Sequence, residues 1–412
     1  PGRPMDAWHL CQSLVHIDAT GGNYLGAQEG ARQARESSDT AGMTYIKILS
    51  IEHEAGCAAL LGDFDRLRDV LENLHHLIAG TCFAFFECQS RMYETYAEIV
   101  HGNPARGQQL LQDFLRHARE IDLHYVQMAR YTPIAGTVLA EALRIGMEVE
   151  YTRNTIRRFG IRAPVDAPGE WPWPVKVFTL GQFQIRCEGE PVVFAGKSPR
   201  KVLALLKVIV AGGDEPVAIA RIADELWSDE DGDAARKAFD VAVVRLRKLL
   251  GSADAVLVRD ERVSLNRELC WVDAFTFSRN VEHFEAEGDQ IFRQPEAAKR
   301  ALEAYRGEFL PGEADNRSVV LQRTKLRDQL ARLVALLGRG LERNSQWEAA
   351  LACYRKGIEA DDLAEEFYQG AIRCMAAMGR AAEAMVIYRR LRQTLSVVLG
   401  LKPSTRTEQL VQ

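Results

Sequence analysis

Between residues 233 and 251 the hydrophobic positions recur every three or four residues, which predicts a helix with one buried face. The residues of that face are Ala235, Phe239, Ala242, Val243, Leu246 and Leu250. The opposite face carries two lysines and two valines, at positions Lys237, Lys248, Val241 and Val244. A helix that is buried on one side and basic on the other is suited to bind an acidic partner.

Shorter patterns flank this helix on both sides. Residues 219–227 predict a short helix directly before it, and residues 255–266 predict a hairpin directly after it. Helix, loop, longer basic helix and hairpin is the order of a winged helix-turn-helix. The hairpin would be the wing, with Arg259 and Arg262 as candidates for the minor groove or its phosphates. Two acids at its tip would repel phosphate, which argues against wing contact.

The region before these helices alternates with a period of two. Two glycines break residues 175–194 into short stretches that predict antiparallel strands. A further helix follows, with Ser198 as its predicted N-cap and Pro199 as its first residue. Strands, three helices and a hairpin predict a small α+β winged helix-turn-helix domain over residues 175–273.

Residues 1–162 repeat themselves every 40 residues. The triplets GNY, GDF and GNP begin at residues 22, 62 and 102, and Ala31, Leu71 and Leu111 keep the same spacing. A 40-residue period with glycine in the turn predicts an α-solenoid. Chance spacing in an alanine-rich helical domain is the alternative. Residues 163–174 then hold four prolines, which forbid helix and predict a stiff interdomain linker.

The last part, residues 274–412, has a helical pattern to its end and a second period, of 34 residues. Ala350 and Tyr354 correspond to Ala384 and Tyr388. A 34-residue period with small residues at helix crossings is typical of tetratricopeptide repeats. The predicted fold is therefore mainly α, with α-solenoid and tetratricopeptide-like repeats flanking the winged helix.

The net charge and its distribution along the chain limit the classes of function to be considered. The 412 residues carry a net charge of −5, which argues against a bulk nucleic-acid binder, so any contact with DNA requires a local patch. Residues 224–233 hold six acids and no base, whereas residues 235–262 hold seven bases and four acids. This segregation favours a basic face and a separate acidic loop over a winged helix that serves only to bind protein.

No sequence feature points to catalysis, to a metal or to a membrane. The eight cysteines show no CxxC spacing, and no nucleophile has a partner that would activate it. No apolar run approaches the ~20 residues that cross a bilayer, and no signal peptide is present. We therefore expect a cytoplasmic protein that is not an enzyme and holds no metal. The chain begins at Pro1 rather than at a methionine, which suggests the C-terminal part of a longer protein.

Several separate motifs resemble one family. The segments SPRKVLALLKVIV, LW followed by acids, AARKAFDVAVVRLRKLLG and WVDAFTF resemble the winged helix of bacterial response-regulator-type activators. The motif YRGEFLPG at 305–312 and the tail LGLKPSTRTEQL resemble the bacterial transcriptional activator domain, a tetratricopeptide-like bundle. Together the two are similar to antibiotic-regulatory-protein activators. Residues 1–162 resemble the helical-repeat region of maltose-activator-type regulators, in which an ATPase module lies upstream.

The resemblance implies specific contacts with double-stranded DNA. DVAVVRLR stands at the family's DNA-facing motif, so that Asp240, Val244, Arg245 and Arg247 take the contact positions. Helical geometry alone adds Lys237 and Lys248, and Arg236 near the helix start is suited to a phosphate. Relatives often carry a polar or basic residue in place of Val244, whose methyl groups could instead contact thymine.

The resemblance also implies partners. In relatives the acidic loop can contact RNA polymerase, which makes Asp229, Glu230 and Asp231 candidates, although a solvated loop is equally expected. The chain itself would need no cofactor, and ATP would belong to a module upstream. An inducer on the repeats and a second copy of the chain are further candidate partners. An aromatic cluster at 83–86 would line an inducer pocket or form the core between repeats. The expected function is a signal-responsive transcriptional activator; a protein interaction scaffold whose winged helix no longer binds DNA is the alternative.

Overall fold

A computed structural model describes residues 4–80, 83–121, 131–164, 167–193, 199–287, 295–313 and 316–411. The chain divides into two compact units, Pro1–Pro172 and Trp173–Gln412. The division falls within the proline-rich stretch, whose described residues form neither helix nor strand. Over the described ranges, no helix is both long and apolar enough to span a bilayer.

Up to Gly160, the described part of the first unit consists of helices and the turns between them. Its helices are α1 (Pro4–Gly21), α2 (Tyr24–Ala41), α3 (Thr44–Leu61), α4 (Phe64–Ile78), α5 (Ala84–Val100), α6 (Pro104–Glu120), α7 (Thr132–Arg144) and α8 (Val149–Phe159). The first six form three successive antiparallel pairs, and α2 also packs against α3. Their starting points recur at 40-residue intervals from one pair to the next.

The 40-residue period marks the turn inside each pair. Gly22 and Gly62 have φ angles of 81° and 74°, in the left-handed region that glycine reaches without strain. The next residue in each turn caps the following helix, because the side-chain oxygens of Asn23, Asp63 and Asn103 accept hydrogen bonds from backbone N–H groups. The predicted helical repeat is confirmed, and these two roles explain its glycine and its Asn or Asp.

The cores of the repeats follow the same period. Three equivalent residues of α2, α4 and α6 are buried, namely Ala31, Leu71 and Leu111. The predicted aromatic cluster lies between the first helices of neighbouring pairs, α3 and α5. Phe86 is buried, and its ring and that of Phe83 each lie 5.9 Å from the ring of Tyr45 on α3. These ring contacts are those expected of a core between two repeats. Cys82, beside the cluster, lies outside the described residues, as does Tyr125, which follows Phe85 by 40 residues.

A buried polar network crosses α3, α5 and the start of α7. The Tyr93 hydroxyl donates to Glu52 Oε1 at 2.6 Å, and Gln89 Nε2 donates to the same oxygen at 3.1 Å. His53 Nδ1 lies 2.9 Å from the Tyr131 hydroxyl. All five side chains are buried, so these mutual hydrogen bonds replace the water that each lost on folding.

The second unit begins with the predicted winged helix. Its elements are β1 (Val175–Phe178), β2 (Gln184–Cys187), β3 (Glu190–Pro191), α9 (Arg200–Ala211), β4 (Val217–Ala218), α10 (Ile219–Leu226), α11 (Gly232–Leu249), β5 (Val256–Arg259), β6 (Arg262–Leu265) and β7 (Cys270–Val272). Helix α9 begins one residue later than predicted, with Pro199 at the N-cap position. The predicted cap Ser198 lies outside the described residues.

Two small sheets bracket the three helices. The first has the strand order β3-β2-β1-β7, with β1 antiparallel to β2 and parallel to β7. The second has the order β4-β6-β5, in which β5 and β6 form the predicted hairpin. The sequence did not predict β4 and β7, because strands of two and three residues are too short to show a period.

Helices fill the remainder of the second unit. They are α12 (Asp273–Glu287), α13 (Pro295–Ala304), α14 (Arg317–Arg343), α15 (Trp347–Ala360), α16 (Glu365–Ala377), α17 (Ala381–Leu399) and α18 (Thr405–Gln409). Helices α15 and α17 begin 34 residues apart, and the preceding turns hold Ser345 and Gly379 at positive φ angles of 56° and 72°. The expectation of helix throughout this part is wrong for 305–313, which form no helix.

That irregular segment joins the winged helix to the C-terminal helices. Phe309 forms a bridge with Leu180, and a single hydrophobic core runs from β1 to α17. Asp273, at the start of α12, is buried and accepts hydrogen bonds from the backbone N–H groups of Thr179, Leu180 and Ala274. The winged helix and the helices that follow it therefore fold as one body.

Candidate nucleic-acid interface

Helix α11 buries the face that its sequence predicts. Ala235, Phe239, Ala242, Val243, Leu246 and Leu250 are all less than 6% exposed. Phe239 is completely buried among the helices of the winged helix, where α11 packs on α9 and α10. Burial of these side chains fixes the rotation of α11 about its axis, which in turn decides what the opposite face presents.

The opposite face of α11 points to solvent. Its exposed residues are Lys237, Asp240, Val241, Val244, Arg245 and Lys248. The two valines are 50% and 65% exposed. Within the described residues, Lys237, Arg245 and Lys248 form no ion pair or side-chain hydrogen bond. Val241 belongs to this face although the contact residues predicted from the sequence omit it; its position on the helical wheel was the available signal.

Arg247 is turned away from that face. Its Nε and one terminal nitrogen donate hydrogen bonds to the carbonyl oxygen of Val256, at 3.1 and 2.8 Å. The side chain is half-buried and links the last turn of α11 to the first strand of the hairpin. The family resemblance placed Arg247 among the contact residues; its hydrogen bonds to a backbone carbonyl nine residues further along are not visible in a helical period.

Arg236 is also engaged within the protein. It forms an ion pair with Glu261 at the tip of the hairpin, and its Nε lies 3.5 Å from Asp240 Oδ1 one turn along the helix. The hydrogen bond with Glu261 raises the pKa of Arg236. The guanidinium stays charged, and the carboxylate of Glu261 offsets that charge on this surface. A phosphate would have to compete with two carboxylates for this guanidinium.

The hairpin is a two-residue turn between β5 and β6. Asp260 and Glu261 occupy its corners at φ angles of 49° and 55°, the left-handed pair typical of tight hairpins and usually taken by asparagine and glycine. Arg259 and Arg262 are direct cross-strand partners, so both cations project from the same side of the hairpin end. Both are exposed, and Arg262 donates one hydrogen bond to the Pro216 carbonyl at 3.1 Å.

The acidic loop lies at the opposite end of α11 from Arg247. Asp231 is the N-cap of α11, and its Oδ1 accepts a hydrogen bond from the Ala234 N–H at 2.8 Å. Asp229 and Glu230 are exposed in the turn before it. Asp231 therefore has a structural role, while its two neighbours remain open to solvent.

The C-terminal helices contact the winged helix away from α11. Ser318, near the start of α14, donates from its hydroxyl to Glu225 Oε2 at 2.5 Å and accepts from Arg221 at 3.0 Å. Both partners lie on α10, and α14 itself packs against α9. Within the second unit, this joint leaves the exposed face of α11 uncovered.

Comparison with protein families concerns the part of the chain that begins at the end of β7. Residues 272–412 match the family model of the bacterial transcriptional activator domain. This segment is similar to that domain. The resemblance predicted from residues 305–312 and from the C-terminal tail is thereby confirmed, and we refer to residues 272–412 as the activator domain.

The other comparisons give little information beyond the match to the activator domain. No curated protein matches the chain. A solved structure of Mycobacterium tuberculosis EmbR in complex with a low affinity phosphopeptide is 22% identical, with a TM-score of 0.46, and the match covers 58% of this chain. The match covers 64% of the EmbR chain, so this chain spans less than two thirds of that protein. A likeness of this degree carries no argument about function.

Metal ligands and thiols are the other groups whose chemistry depends on their position in the fold. No group of three or more histidine, cysteine or carboxylate side chains in the described ranges could hold a metal ion. Burial raises the pKa of several thiols to about 12, so that they stay protonated and pack as small apolar groups. These are Cys57, Cys88, Cys270 and Cys353.

Proposed function

We propose that the chain is a transcriptional activator that binds double-stranded DNA with α11 in the major groove. The observation that supports this most is the exposed face of α11, where three cations without internal partners flank two exposed valines. Among the described residues of the second unit nothing packs on this face, so its side chains are available to a partner. The match of residues 272–412 to the activator domain supports the regulatory part of the proposal.

The chemistry of this face suits base-pair edges and phosphates. An 18-residue helix is about 27 Å long and enters a major groove about 12 Å wide. Arg245 can donate two hydrogen bonds to a guanine, and Lys237 and Lys248 supply point charges for phosphates. Val241 and Val244 fit the methyl groups of thymine, which predicts a preference for thymine at adjacent positions of the site.

Two arginines of the motif act differently in this proposal. Arg247 is a positioning residue that holds the hairpin against α11, since both of its described hydrogen bonds go to Val256. Arg236 is held by Glu261 and reaches a phosphate only if that ion pair opens. Arg259 and Arg262 form the phosphate-binding end of the wing, because two like charges placed directly opposite one another favour an intervening anion.

Activation and response to a signal are further parts of the proposal. The exposed carboxylates of Asp229 and Glu230 are the candidate contact with RNA polymerase, and Asp231 is left to cap α11. The helical repeats of the first unit are the candidate site for an inducer or for a second copy of the chain, as helical solenoids offer broad surfaces for such partners. Nucleotide binding is assigned to a module upstream and no catalysis to this chain.

The test is selection of bound duplexes from a random pool by the whole chain, followed by mapping of groove contacts. The proposal predicts enrichment of a defined site whose major groove is protected from methylation of guanine N7. Lys237→Gln combined with Arg245→Gln should lose this enrichment. No enrichment from wild-type protein would contradict the proposal and favour the alternative of a protein interaction scaffold.

A further inference from the structure

The activator domain contains a groove with more positive than negative charge. Its floor is α14 and α15, and its wall is the irregular segment that follows α13. The cavity has a volume of about 440 Å³ and is lined by four basic side chains, Arg306, Arg323, Arg327 and Lys356. We call this cavity the basic groove. It lies in a chain whose overall charge is −5, so the local excess is not a reflection of composition.

One of the four cations has a structural role. Arg323 is half-buried, and its guanidinium donates to the carbonyl oxygens of Phe309 and Leu310 at 3.1 and 2.9 Å. It also forms an ion pair with Glu308 at 3.0 Å. These contacts fix the wall of the groove and use the carboxylate of Glu308, so neither residue alters the charge available to a ligand.

The other three cations are available to bind a ligand. Over the described ranges, Arg306, Arg327 and Lys356 form no ion pair and no side-chain hydrogen bond. Glu359 is the one unpaired carboxylate among the described residues that line the cavity. Counted by formal charge, these three cations and Glu359 give the basic groove a net charge of about +2.

The shape of the groove limits the size of a partner. A volume of about 440 Å³ falls in the range of small-molecule sites and is too small for a folded partner. Val320, which is 41% exposed, and Ala360 supply an apolar wall beside the cations. Guanidinium groups favour the planar, two-point hydrogen bonding of phosphate and carboxylate oxygens.

We propose that the basic groove is a binding site for a small organic dianion that carries a phosphate or carboxylate group. Arg327 of α14 and Lys356 of α15 bind the anionic group of the ligand. Arg306, in the wall of the groove, binds the same group, and Val320 packs against the organic part. The site lies next to the Phe309–Leu180 bridge, so its occupant would contact the segment that joins the activator domain to the winged helix.

The test is isothermal titration calorimetry of the whole chain with three probes at constant ionic strength: inorganic phosphate, phenyl phosphate and phthalate. The double variant Arg327→Gln/Lys356→Gln should weaken binding by about tenfold or more, as two charge-assisted hydrogen bonds are lost. Arg339→Gln/Arg355→Gln is the matched control, because it removes the same charge from the same two helices outside the groove. Thr324→Glu, which adds a carboxylate at an exposed lining position, should also abolish binding.

The outcomes separate this site from the DNA interface. Tighter binding of phenyl phosphate or phthalate than of inorganic phosphate, lost only in the groove variants, would support the proposal and distinguish the two chemistries. Lys237→Gln/Lys248→Gln should leave binding unchanged. Absence of binding to all three probes, or equal loss in the groove and control variants, would overturn the proposal without bearing on DNA recognition.

Discussion

Arg247 of α11 donates two hydrogen bonds to the carbonyl oxygen of Val256, at 3.1 and 2.8 Å. This pair connects the helix proposed to enter the major groove with the first strand of the wing. Its neighbour Arg245 is exposed and has no partner among the described residues. Two arginines only two positions apart are therefore expected to act through different physical effects.

Replacement of these arginines should separate stability from DNA contact. Arg247→Ala should lower the free energy of unfolding by about 1–2 kcal/mol, because it removes both hydrogen bonds and leaves the Val256 carbonyl unsatisfied. Arg245→Ala should change stability by less than about 0.5 kcal/mol and yet weaken DNA binding. Urea unfolding and fluorescence anisotropy measure the two effects. Normal stability of Arg247→Ala together with a loss of phosphate contacts would contradict the positioning role.

The ion pair between Arg236 and Glu261 should oppose DNA binding. Glu261→Gln removes a negative charge from the wing tip and releases Arg236, so affinity for any duplex at low salt should rise about threefold to tenfold. Glu268→Gln removes the same charge from an exposed position in the loop after β6 and serves as the control. If both variants raise affinity equally, net charge rather than the Arg236 pair is responsible.

Asp273 should be essential to the joint between β1 and α12. Its carboxylate accepts from three backbone N–H groups and from the Thr179 hydroxyl at 2.6 Å. Asp273→Asn turns an amide N–H₂ toward these donors and should cost about 2–4 kcal/mol in urea unfolding. Asp254→Asn, an isosteric change at an exposed site, should cost almost nothing. Equal stability of the two variants would show that the buried contacts do not hold the joint.

The tetratricopeptide-like core should resist enlargement at Gly370. A Cβ atom there would come within 2.4 Å of the Tyr354 ring, which packs against α16. Gly370→Ala should therefore destabilise the protein by about 1–3 kcal/mol. Tyr354→Leu replaces the ring with a smaller aliphatic side chain and opens the space that the methyl group needs. The double variant should therefore be less destabilised than the sum of the two single changes. Gly232→Ala, where nothing lies within 4 Å, is the control.

The features that the sequence predicted best are those with local causes. The buried face of α11 was predicted residue for residue, because long amphipathic helices carry a strong period. The turns at Gly22 and Gly62 were found through their repetition, although the capping by Asn23 and Asp63 becomes evident only from the hydrogen bonds. Local pattern was also enough to predict the hairpin around Asp260.

The features that the sequence did not predict depend on distant contacts. Thr179 and Asp273 are 94 residues apart, and no local period indicates their hydrogen bond. The pairing of Arg247 with a backbone carbonyl, and of Arg236 with the wing tip, likewise depends on how the hairpin returns to α11. As a result the basic residues of the motif were predicted as one group, whereas the structure separates free cations from those already engaged.

The most direct measurement of the central claim is the dependence of DNA affinity on salt. The logarithm of the association constant should fall linearly with the logarithm of salt concentration, by about 0.9 for each phosphate neutralised on B-DNA. The triple variant Lys237→Gln/Arg245→Gln/Lys248→Gln should reduce this slope by about 2–3, since Arg245 can also contact a base. Arg339→Gln/Arg355→Gln, which removes exposed charge from the activator domain, should leave the slope unchanged. An identical slope for wild type and triple variant, or no binding to any duplex at low salt, would contradict the assignment of α11 to the major groove.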